Sequence, residues 1–373
     1  MSKIGILEAD PTRFGGIQAF CRTLSGYLPA DQTELLAYYG DLAYEKELQC
    51  KLVNLNDRLN RSAASRIFGS RKDIYKSQSP WKRNFALLQD IPFIRRNMEK
   101  RYPGGDTIVI NSASALLLFL TKKVLKNNRI ILVQHSDPEL MYKRSFDFGG
   151  FFRKCKIRLF EKYVDTFVLI SDKVQEKFAE YLPLKDKKIE VIRHAVDFPV
   201  NLPHNYPAAV AVLARLIRLK RVDRVIACAR LLPEVTFNIY GTGPEEDALK
   251  NTAVDLENVV FHGYTSDINN VFQNNSILAI TSEYEGYPIS GIECCVHGRG
   301  LIVVNTFSAA VDLVNHNENG ILLQEYTPEG MAVAIKTILS SPVKYQQGAL
   351  RHRELYNCKT AAASWRQLLC KGK

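Results

Sequence analysis

The chain of 373 residues contains no long apolar stretch. Its longest candidate, residues 113–120, is soon followed by Lys122 and Lys123, and a membrane-spanning helix needs roughly 18 or more apolar residues. The amino-terminal segment leads directly into Glu8 and Asp10, which is too short and too soon charged for a secretory signal peptide. We therefore expect a chain that does not span a membrane and that is located in the cytoplasm.

Cysteine is present, but its spacing lacks the pattern of a metal or disulfide site. There are eight cysteines and no pair with CxxC spacing, which argues against a zinc site and a disulfide framework. We expect reduced, mostly buried thiols, with the adjacent Cys294 and Cys295 on different sides of a helix. No metal ion and no cofactor are predicted. The cysteines are Cys21, Cys50, Cys155, Cys228, Cys294, Cys295, Cys358 and Cys370.

Several motifs of nucleotide and nucleic-acid binding are also missing. The turn at residues 240–245 has two glycines, Gly241 and Gly243, but lacks the third glycine of a dinucleotide fingerprint, so NAD binding is weakly supported. The net charge is +11, yet no zinc finger, RNA-binding aromatic motif or helix-turn-helix pattern accompanies it. Nucleic acid is therefore not an expected partner.

The pattern that is present is an alternation of short apolar strands with helical segments. Such alternation predicts parallel sheets covered on both faces, and the number of strands predicts two doubly wound α/β domains. The predicted strands are 3–8, 34–39, 107–111, 129–135, 166–171 and 189–194 in the first half, and 208–215, 236–241, 259–263, 276–282, 300–305 and 320–323 in the second.

A proline-rich segment marks the expected domain boundary. Residues 198–207 contain three prolines and two asparagines and predict a non-helical linker. We therefore expect one Rossmann-like domain over residues 1–200 and a second over residues 201–345. Residues 346–373, with Trp365 and Leu368 at helical spacing, are expected to form a helix that docks back on the first domain.

The most informative stretch runs from Ser282 to Glu293 and crosses a strand-to-helix junction. Two carboxylates stand eight residues apart, Glu285 on the turn and Glu293 on the helix, where a carboxylate suits the hydroxyls of a ribose. Gly286 permits close approach of a ligand, and Pro288 suits a first helical turn that leaves amides open to a diphosphate. The amides concerned are those of Tyr287, Ile289 and Ser290. An ordinary helix start with two solvated acids is the alternative.

Three further strand ends carry residues that suit a ligand, because ligands of such sheets bind at the carboxyl ends of the strands. Gly15 and Gly16 open a helix after the first strand, and His135 follows the fourth. Arg215 and Lys220 belong to a turn with four cations in seven residues, which suits a diphosphate. The alternative for the two glycines is a flexible turn, and the alternative for the histidine is a loop cap. The alternative for the cations is a solvated basic turn.

In this order, these motifs resemble the family-4 type of retaining glycosyltransferases with the GT-B fold. The resemblance is most specific over residues 212–323 and implies a donor that is a nucleotide diphosphate sugar, most often a UDP-sugar. It implies that Arg215 and Lys220 grip the pyrophosphate, that Glu285 contacts the sugar and that Glu293 holds the ribose. It further implies that Gly16 admits the diphosphate, that His135 orients the sugar, that Gly286 to Ile289 supply amides and that Tyr264, just after Gly263, borders the base.

The implied chemistry suits the residue types. Breaking the bond between an anomeric carbon and a diphosphate places negative charge on the leaving oxygen, which fixed cations and amide dipoles stabilise. No Asp-x-Asp motif occupies the expected donor loop, so a metal ion is not required. The resemblance implies a same-face displacement in which the departing phosphate takes the acceptor proton, with Glu285 as a positioning residue. Departures from the family pattern at residues 193–197, at Gly300 and at residues 306–312 indicate a divergent subgroup.

Basic residues in the first half suggest the kind of acceptor. Residues 56–101 hold twelve Lys or Arg against four acids, and residues 143–158 set four phenylalanines beside six cations. Such a segment suits anionic lipid, and a solvated helix packed by its phenylalanines is the alternative. We expect a glycan or lipid-linked acceptor in cell-surface polysaccharide synthesis and a peripheral membrane contact. A catalytically inert GT-B-like subunit and a nucleotide-sugar epimerase are the alternative functions.

Overall fold

The structure is a computed structural model of the chain, and it describes most but not all of the residues. The described residues are 2–8, 16–37, 48–55, 80–111, 120–135, 137, 162–181 and 187–370. For residues 16–18, 80–89 and 181 only the backbone is described. Three features of the sequence lie outside the described residues: Gly15, the aromatic and basic segment 143–158, and residues 56–79 of the other basic segment.

The first sheet has seven parallel strands, and its order is β3-β2-β1-β4-β5-β6-β7. The central strands are buried on both faces, as their continuous apolar sequences predict. The strands are β1 (Ile4–Glu8), β2 (Thr33–Ala37), β3 (Lys51–Asn54), β4 (Thr107–Asn111), β5 (Arg129–Gln134), β6 (Thr166–Leu169) and β7 (Lys188–Val191).

The second sheet has six parallel strands in the order β10-β9-β8-β11-β12-β13. The order reverses between β8 and β11, which places a topological switch point at the carboxyl ends of those two strands. The strands are β8 (Ala209–Leu213), β9 (Thr236–Tyr240), β10 (Val259–Gly263), β11 (Ile277–Ile280), β12 (Gly300–Val304) and β13 (Gly320–Leu323).

Helices connect the strands of both sheets. Those of the first half are α1 (Gly16–Gly26), α2 (Pro80–Arg101), α3 (Lys122–Asn127) and α4 (Asp172–Tyr181). Those of the second half are α5 (Val222–Ala229), α6 (Glu246–Thr252), α7 (Ile268–Asn274), α8 (Ile289–Val296), α9 (Ala310–Leu313), α10 (Pro328–Ser340), α11 (Pro342–His352) and α12 (Cys358–Cys370). Two short 3-10 helices are Arg218–Lys220 and Arg353–Tyr356.

The predicted α/β architecture of two parallel sheets is confirmed. Each of the predicted strands is present, and the bounds of β4, β10 and β13 agree with the sequence-based ranges. One strand was missed: β3 (Lys51–Asn54) pairs with β2 at the edge of the first sheet. It is only four residues long, and its burial pattern is mixed, so the local pattern gave no strand signal.

Two features of the packing join the halves of the chain. Trp365 and Leu368 of α12 are buried in one apolar cluster with Ile6 and Phe20 of the first half. A second cluster combines Ile170 with residues of the second half, including Tyr287, Phe307 and Tyr356. The first cluster packs α12 on the first sheet, and the second packs the carboxyl end of β6 against residues of the second half.

None of the helices in the described residues is long and apolar enough to cross a bilayer. The same residues bring together no group of three or more His, Cys, Asp or Glu that could hold a metal ion. All seven described cysteines are free thiols, and five of them are buried. Cys294 and Cys295 are both buried, because α8 is covered on more than one side.

Candidate active site

Lys220 and Glu285 meet at the switch point of the second sheet. Lys220 ends the 3-10 helix after β8, and Glu285 follows β11, the neighbouring strand. Lys220 Nζ lies 2.5 Å from Glu285 Oε1, and the Ser282 hydroxyl donates to the same oxygen at 2.6 Å. Both charged side chains are largely buried, with exposed fractions of 17% and 12%. The cation predicted for the pyrophosphate therefore lies beside the carboxylate predicted for the sugar.

Backbone hydrogen bonds fix the basic turn to the Glu285 loop. The Glu283 amide donates to the Leu219 carbonyl at 2.9 Å, and the Thr281 hydroxyl donates to the Arg221 carbonyl at 2.9 Å. Arg221 has a left-handed φ of 49° and pairs with Glu283 at 2.9 Å, so the turn is held by charge as well. The exposed Arg215 begins this turn directly after β8. The two loops therefore form one rigid edge.

The helix behind Glu285 begins one residue later than predicted. Its first residue is Ile289, and Pro288 occupies the N-cap position with φ −70° and ψ 118°, so the expectation that Pro288 lies in the first helical turn was wrong by one residue. The first amides of a helix lack partners inside it, which keeps this end suited to an anion. The Tyr287 side chain is buried, and its hydroxyl lies 2.7 Å from that of Tyr356. Gly286 is partly buried between Glu285 and Tyr287.

Glu293 lies in the middle of α8 and has an unusual carboxyl group. Burial raises the pKa of its side chain to about 7. Among the residues that the structure describes, none donates a hydrogen bond to this carboxylate or forms an ion pair with it. A partly buried acid without a protein partner is costly to ionise, and groups with pKa values shifted in this way cluster at functional sites.

Gly241, a candidate ligand-binding glycine, has a structural role in this fold. Its φ is +135°, and a Cβ atom there would lie 1.8 Å from the Ala214 carbonyl oxygen. The Gly241 amide donates to the Gly263 carbonyl at 2.7 Å, so the ends of β8, β9 and β10 are packed backbone to backbone. The close packing orients the turn at Arg215. Tyr264 follows Gly263 and is 55% exposed.

His135 lies directly after β5, in a buried polar cluster at the carboxyl edge of the first sheet. Its Nε2 contacts Asn111 Oδ1 at the end of β4, and its Nδ1 lies 3.3 Å from His194 Nε2. Burial and the neighbouring His194 lower the pKa of His135 well below its usual range. The backbone of Gly16 begins α1 as predicted, and Phe20 of this helix packs against His135.

Asp137 joins the two sheets at this edge. The Tyr284 hydroxyl donates to the Asp137 carbonyl oxygen at 2.5 Å, and the Ser308 amide donates to the Asp137 carboxylate at 2.8 Å. Asp137 is two residues from His135, and Tyr284 precedes Glu285, so the two candidate sites face each other. Sequence reasoning assigned no role to Asp137, Ser282 or Ser308. The one sequence feature that could have pointed to Asp137 is its position just past the end of a predicted strand.

Comparisons with known proteins identify the family. The family model described as "Glycosyl transferases group 1" matches residues 196–354. An uncharacterized glycosyltransferase of Haemophilus influenzae is 30% identical over 284 residues, which cover 71% of this chain and 76% of that protein. The poly(glycerol-phosphate) alpha-glucosyltransferase of Bacillus subtilis is 26% identical over 220 residues, 55% of this chain but only 31% of that longer protein.

A solved structure shares the architecture of the whole chain. TarM of Staphylococcus aureus, as a variant in complex with fondaparinux, alpha-GlcNAc-glycerol and UDP, superposes with a TM-score of 0.77. The superposition covers 99% of this chain and 100% of that chain, at 17% identity. At such low identity the similarity concerns the fold, which is GT-B. The chain therefore belongs to the glycosyl transferases group 1 family and has the GT-B fold.

Proposed function

We propose that this protein is a retaining glycosyltransferase. It transfers a hexose-type sugar from a nucleotide diphosphate sugar, a UDP-sugar in the first instance, to a glycan or lipid-linked acceptor in cell-surface polysaccharide synthesis. The observation that carries the proposal is a group of charges at the edge of the second sheet. The Lys220–Glu285 ion pair lies there just before helix α8, and α8 presents the carboxyl group of Glu293, which has no protein partner among the described residues. At this edge the cation and the amides suit the diphosphate of a nucleotide sugar, and the carboxylates suit its hydroxyl groups.

The charges at this edge suit a diphosphate leaving group. Lys220 is held in place by Glu285 before a ligand binds, and the exposed Arg215 at the start of the same turn supplies a second cation. Charges that are already oriented stabilise a developing negative charge without reorganisation. The N–H groups of Gly286, Tyr287 and Ile289, just before and at the start of α8, add dipoles of the same sense. Cations and amides thus supply the stabilisation that other enzymes obtain from a metal ion.

Glu293 is the proposed ribose ligand. A carboxylate accepts hydrogen bonds from two neighbouring hydroxyl groups, and such bonds stabilise the ionised form. Because burial opposes ionisation of Glu293 in the protein alone, nucleotide binding would relieve an unfavourable group. Tyr264, which is exposed after β10, is the proposed neighbour of the base.

Glu285 has a positioning role in this proposal. Its Oε1 accepts from both Lys220 and Ser282, so the carboxylate is bound within the loop. The departing phosphate would accept the proton of the incoming hydroxyl on the same face of the sugar. Retention agrees with the α-linkage in the names of the Bacillus subtilis relative and of the TarM ligand, given a donor whose sugar is α-linked.

The acceptor side is proposed to be the edge of the first sheet. His135 lies there beside the Asp137 contact to Tyr284, and it would orient the donor sugar from the opposite side of the cleft. The TarM ligand and the Bacillus subtilis relative point to an acceptor that is a polyol or polyol phosphate polymer. A peripheral contact with anionic membrane, through the basic segments of the first half, is proposed as the way to reach such an acceptor.

Nucleotide binding tests this proposal. The thermal stability of the full chain is measured with UDP, GDP, ADP and CMP, and again with Lys220→Ala and Glu293→Ala. Ligand at a hundred times its dissociation constant stabilises by about 2.7 kcal/mol, enough to raise the melting temperature by degrees. A shift with UDP that both variants lose would support the proposal. No shift with any nucleotide would favour an inert subunit instead.

A further inference from the structure

Two buried histidines stack on each other at the carboxyl edge of the first sheet. His135 follows β5, and His194 comes three residues after β7, so the two rings meet across the end of β6. The ring centroids are 5.1 Å apart and the planes differ by 16°. Exposed fractions are 7% for His135 and 5% for His194. Both histidine side chains therefore belong to the packed interior at this edge of the sheet.

The hydrogen bonds of Asn111 define which nitrogen of His135 carries the proton. Asn111 Nδ2 faces Glu8 Oε2 at 3.4 Å and Cys21 Sγ at 2.5 Å, so the amide nitrogen points to acceptors and Oδ1 points to His135. The opposite orientation of the amide would place its oxygen against the Glu8 carboxylate. An amide oxygen only accepts, so His135 Nε2 must donate to it.

The remaining contact defines the role of His194. A neutral imidazole has one N–H group, and burial keeps His135 neutral. With the proton on Nε2, Nδ1 of His135 is an acceptor, and His194 Nε2 must donate to it across 3.3 Å. The Nε2–H group of His194 therefore donates to Nδ1 of His135, and the His135 ring is hydrogen-bonded at both of its nitrogens.

Packing keeps both rings in this geometry. Phe20 of α1 contacts His135 edge to face at 4.7 Å and His194 at 5.1 Å. Trp365 of α12 lies behind Phe20 at 5.9 Å. Phe20 is four residues after Gly16, so the helix that is proposed to admit the diphosphate also clamps the histidine pair.

We propose that His194 is a positioning residue for sugar transfer: its Nε2–H group donates to Nδ1 of His135 and, together with the Asn111 acceptor at Nε2, locks the His135 ring in one tautomer and one orientation on the first-sheet side of the cleft. The part that concerns transfer rests on the proposed function, whereas the tautomer lock does not. His194 lies within residues 193–197, one of the segments where the sequence departs from the family pattern.

The test combines histidine-selective ¹⁵N NMR of the full chain with donor turnover. Three forms are compared: wild type, His194→Phe, which keeps a flat ring but removes the donor, and His194→Gln, which restores an N–H donor at similar reach. His135→Asn assigns the His135 signals. Because a hydrogen bond contributes about 1 kcal/mol, we expect His194→Phe to lower kcat roughly fivefold, with UDP affinity unchanged, and His194→Gln to recover most of it.

In the wild type, His135 should show the shifts of a protonated Nε2 and of an Nδ1 that accepts a hydrogen bond. In His194→Phe, Nε2 should stay protonated because Asn111 Oδ1 still accepts from it, and the Nδ1 shift should move to that of a nitrogen without a donor. A protonated Nδ1 on His135 in the wild type, or an Nδ1 shift and a kcat that are unchanged in His194→Phe, would overturn the proposal. A locked tautomer in a wild-type chain that turns over no nucleotide sugar would overturn the proposed function and the transfer role together, and leave the lock itself standing.

Discussion

Lys220 Nζ lies 2.5 Å from Glu285 Oε1, joining two loops that are 65 residues apart in the chain. The pair sits where the strand order of the second sheet reverses, so its geometry depends on the sheet as well as on the loops. A largely buried ion pair leaves an uncompensated charge when one partner is removed, which makes it sensitive to single substitutions.

We therefore expect Lys220→Met and Glu285→Gln each to lower the free energy of unfolding by about 1–3 kcal/mol. The double variant should lose less than the sum, because the second change removes the charge that the first left unpaired. Urea denaturation of the four proteins measures this coupling. Lys250→Met is the matched control: its pair with Glu246 is exposed and should matter by less than about 0.5 kcal/mol. Additive effects at Lys220 and Glu285 would contradict the account.

Glu293→Gln should make the protein without ligand more stable at alkaline pH. The folded pKa of about 7 lies above the ordinary value of 4.5, so the carboxyl favours folding only in its protonated form. That contribution is fully present below pH 4.5 and is lost as pH rises through 7, at a cost on the order of 3 kcal/mol. Unfolding at pH 5 and pH 8 should show a gain for Glu293→Gln at pH 8 that shrinks at pH 5. An equal effect at both values would refute the shift.

Nucleotide affinity should depend on pH through the same group. The ribose hydroxyls favour the carboxylate, so UDP affinity of the wild type should fall by up to tenfold per unit as pH drops below 7. Calorimetric titration between pH 5.5 and 8 measures it. The phosphate also titrates, near pH 6, so Glu293→Gln serves as the reference whose remaining pH dependence belongs to the ligand. Parallel profiles for the two proteins would speak against a ribose contact at Glu293.

Gly241→Ala should destabilise the second sheet severely. The added Cβ would lie 1.8 Å from the Ala214 carbonyl oxygen, and the φ of +135° is strained for any side chain. We expect a loss of more than about 3 kcal/mol, since the backbone itself must move. Gly105→Ala is the control, with φ +81° and no atom within 4 Å of the new Cβ, and should cost only about 1 kcal/mol of strain. Similar melting temperatures for the two variants would contradict the packing role.

Asp137→Ala should loosen the contact between the two sheets. The Ser308 amide would lose its acceptor, which lies 2.8 Å away in the native protein. Its hydrogen exchange should accelerate by about tenfold, the equivalent of one hydrogen bond. The Asn305 amide, bound to the Leu323 carbonyl at 2.8 Å within the second sheet, is an internal control and should not change. Equal protection of Ser308 in both proteins would show that Asp137 does not hold this contact.

The parallel sheets could be predicted from sequence because each buried strand is a short β-branched run followed by a turn. β3 could not, since Lys51–Asn54 becomes a strand only through its pairing with β2. The site residues that could be predicted are those that directly follow strands, because their placement depends only on the local sequence. The orientation of Tyr284 towards Asp137 and the stacking of His194 on His135 depend on contacts between residues 147 and 59 positions apart, which no local pattern encodes.

The anomeric configuration of the first product distinguishes retention from inversion at the proposed site. The full chain is incubated with UDP-glucose and UDP-N-acetylglucosamine carrying ¹³C at the anomeric carbon, with water or a glycerol-based acceptor, and ¹³C NMR follows the sugar before it can mutarotate. The account predicts that the α-anomer appears first with one of these donors and that Lys220→Met and Glu293→Gln abolish it. A β-anomer as first product would contradict retention, and an α-product that survives both substitutions would contradict the assigned site.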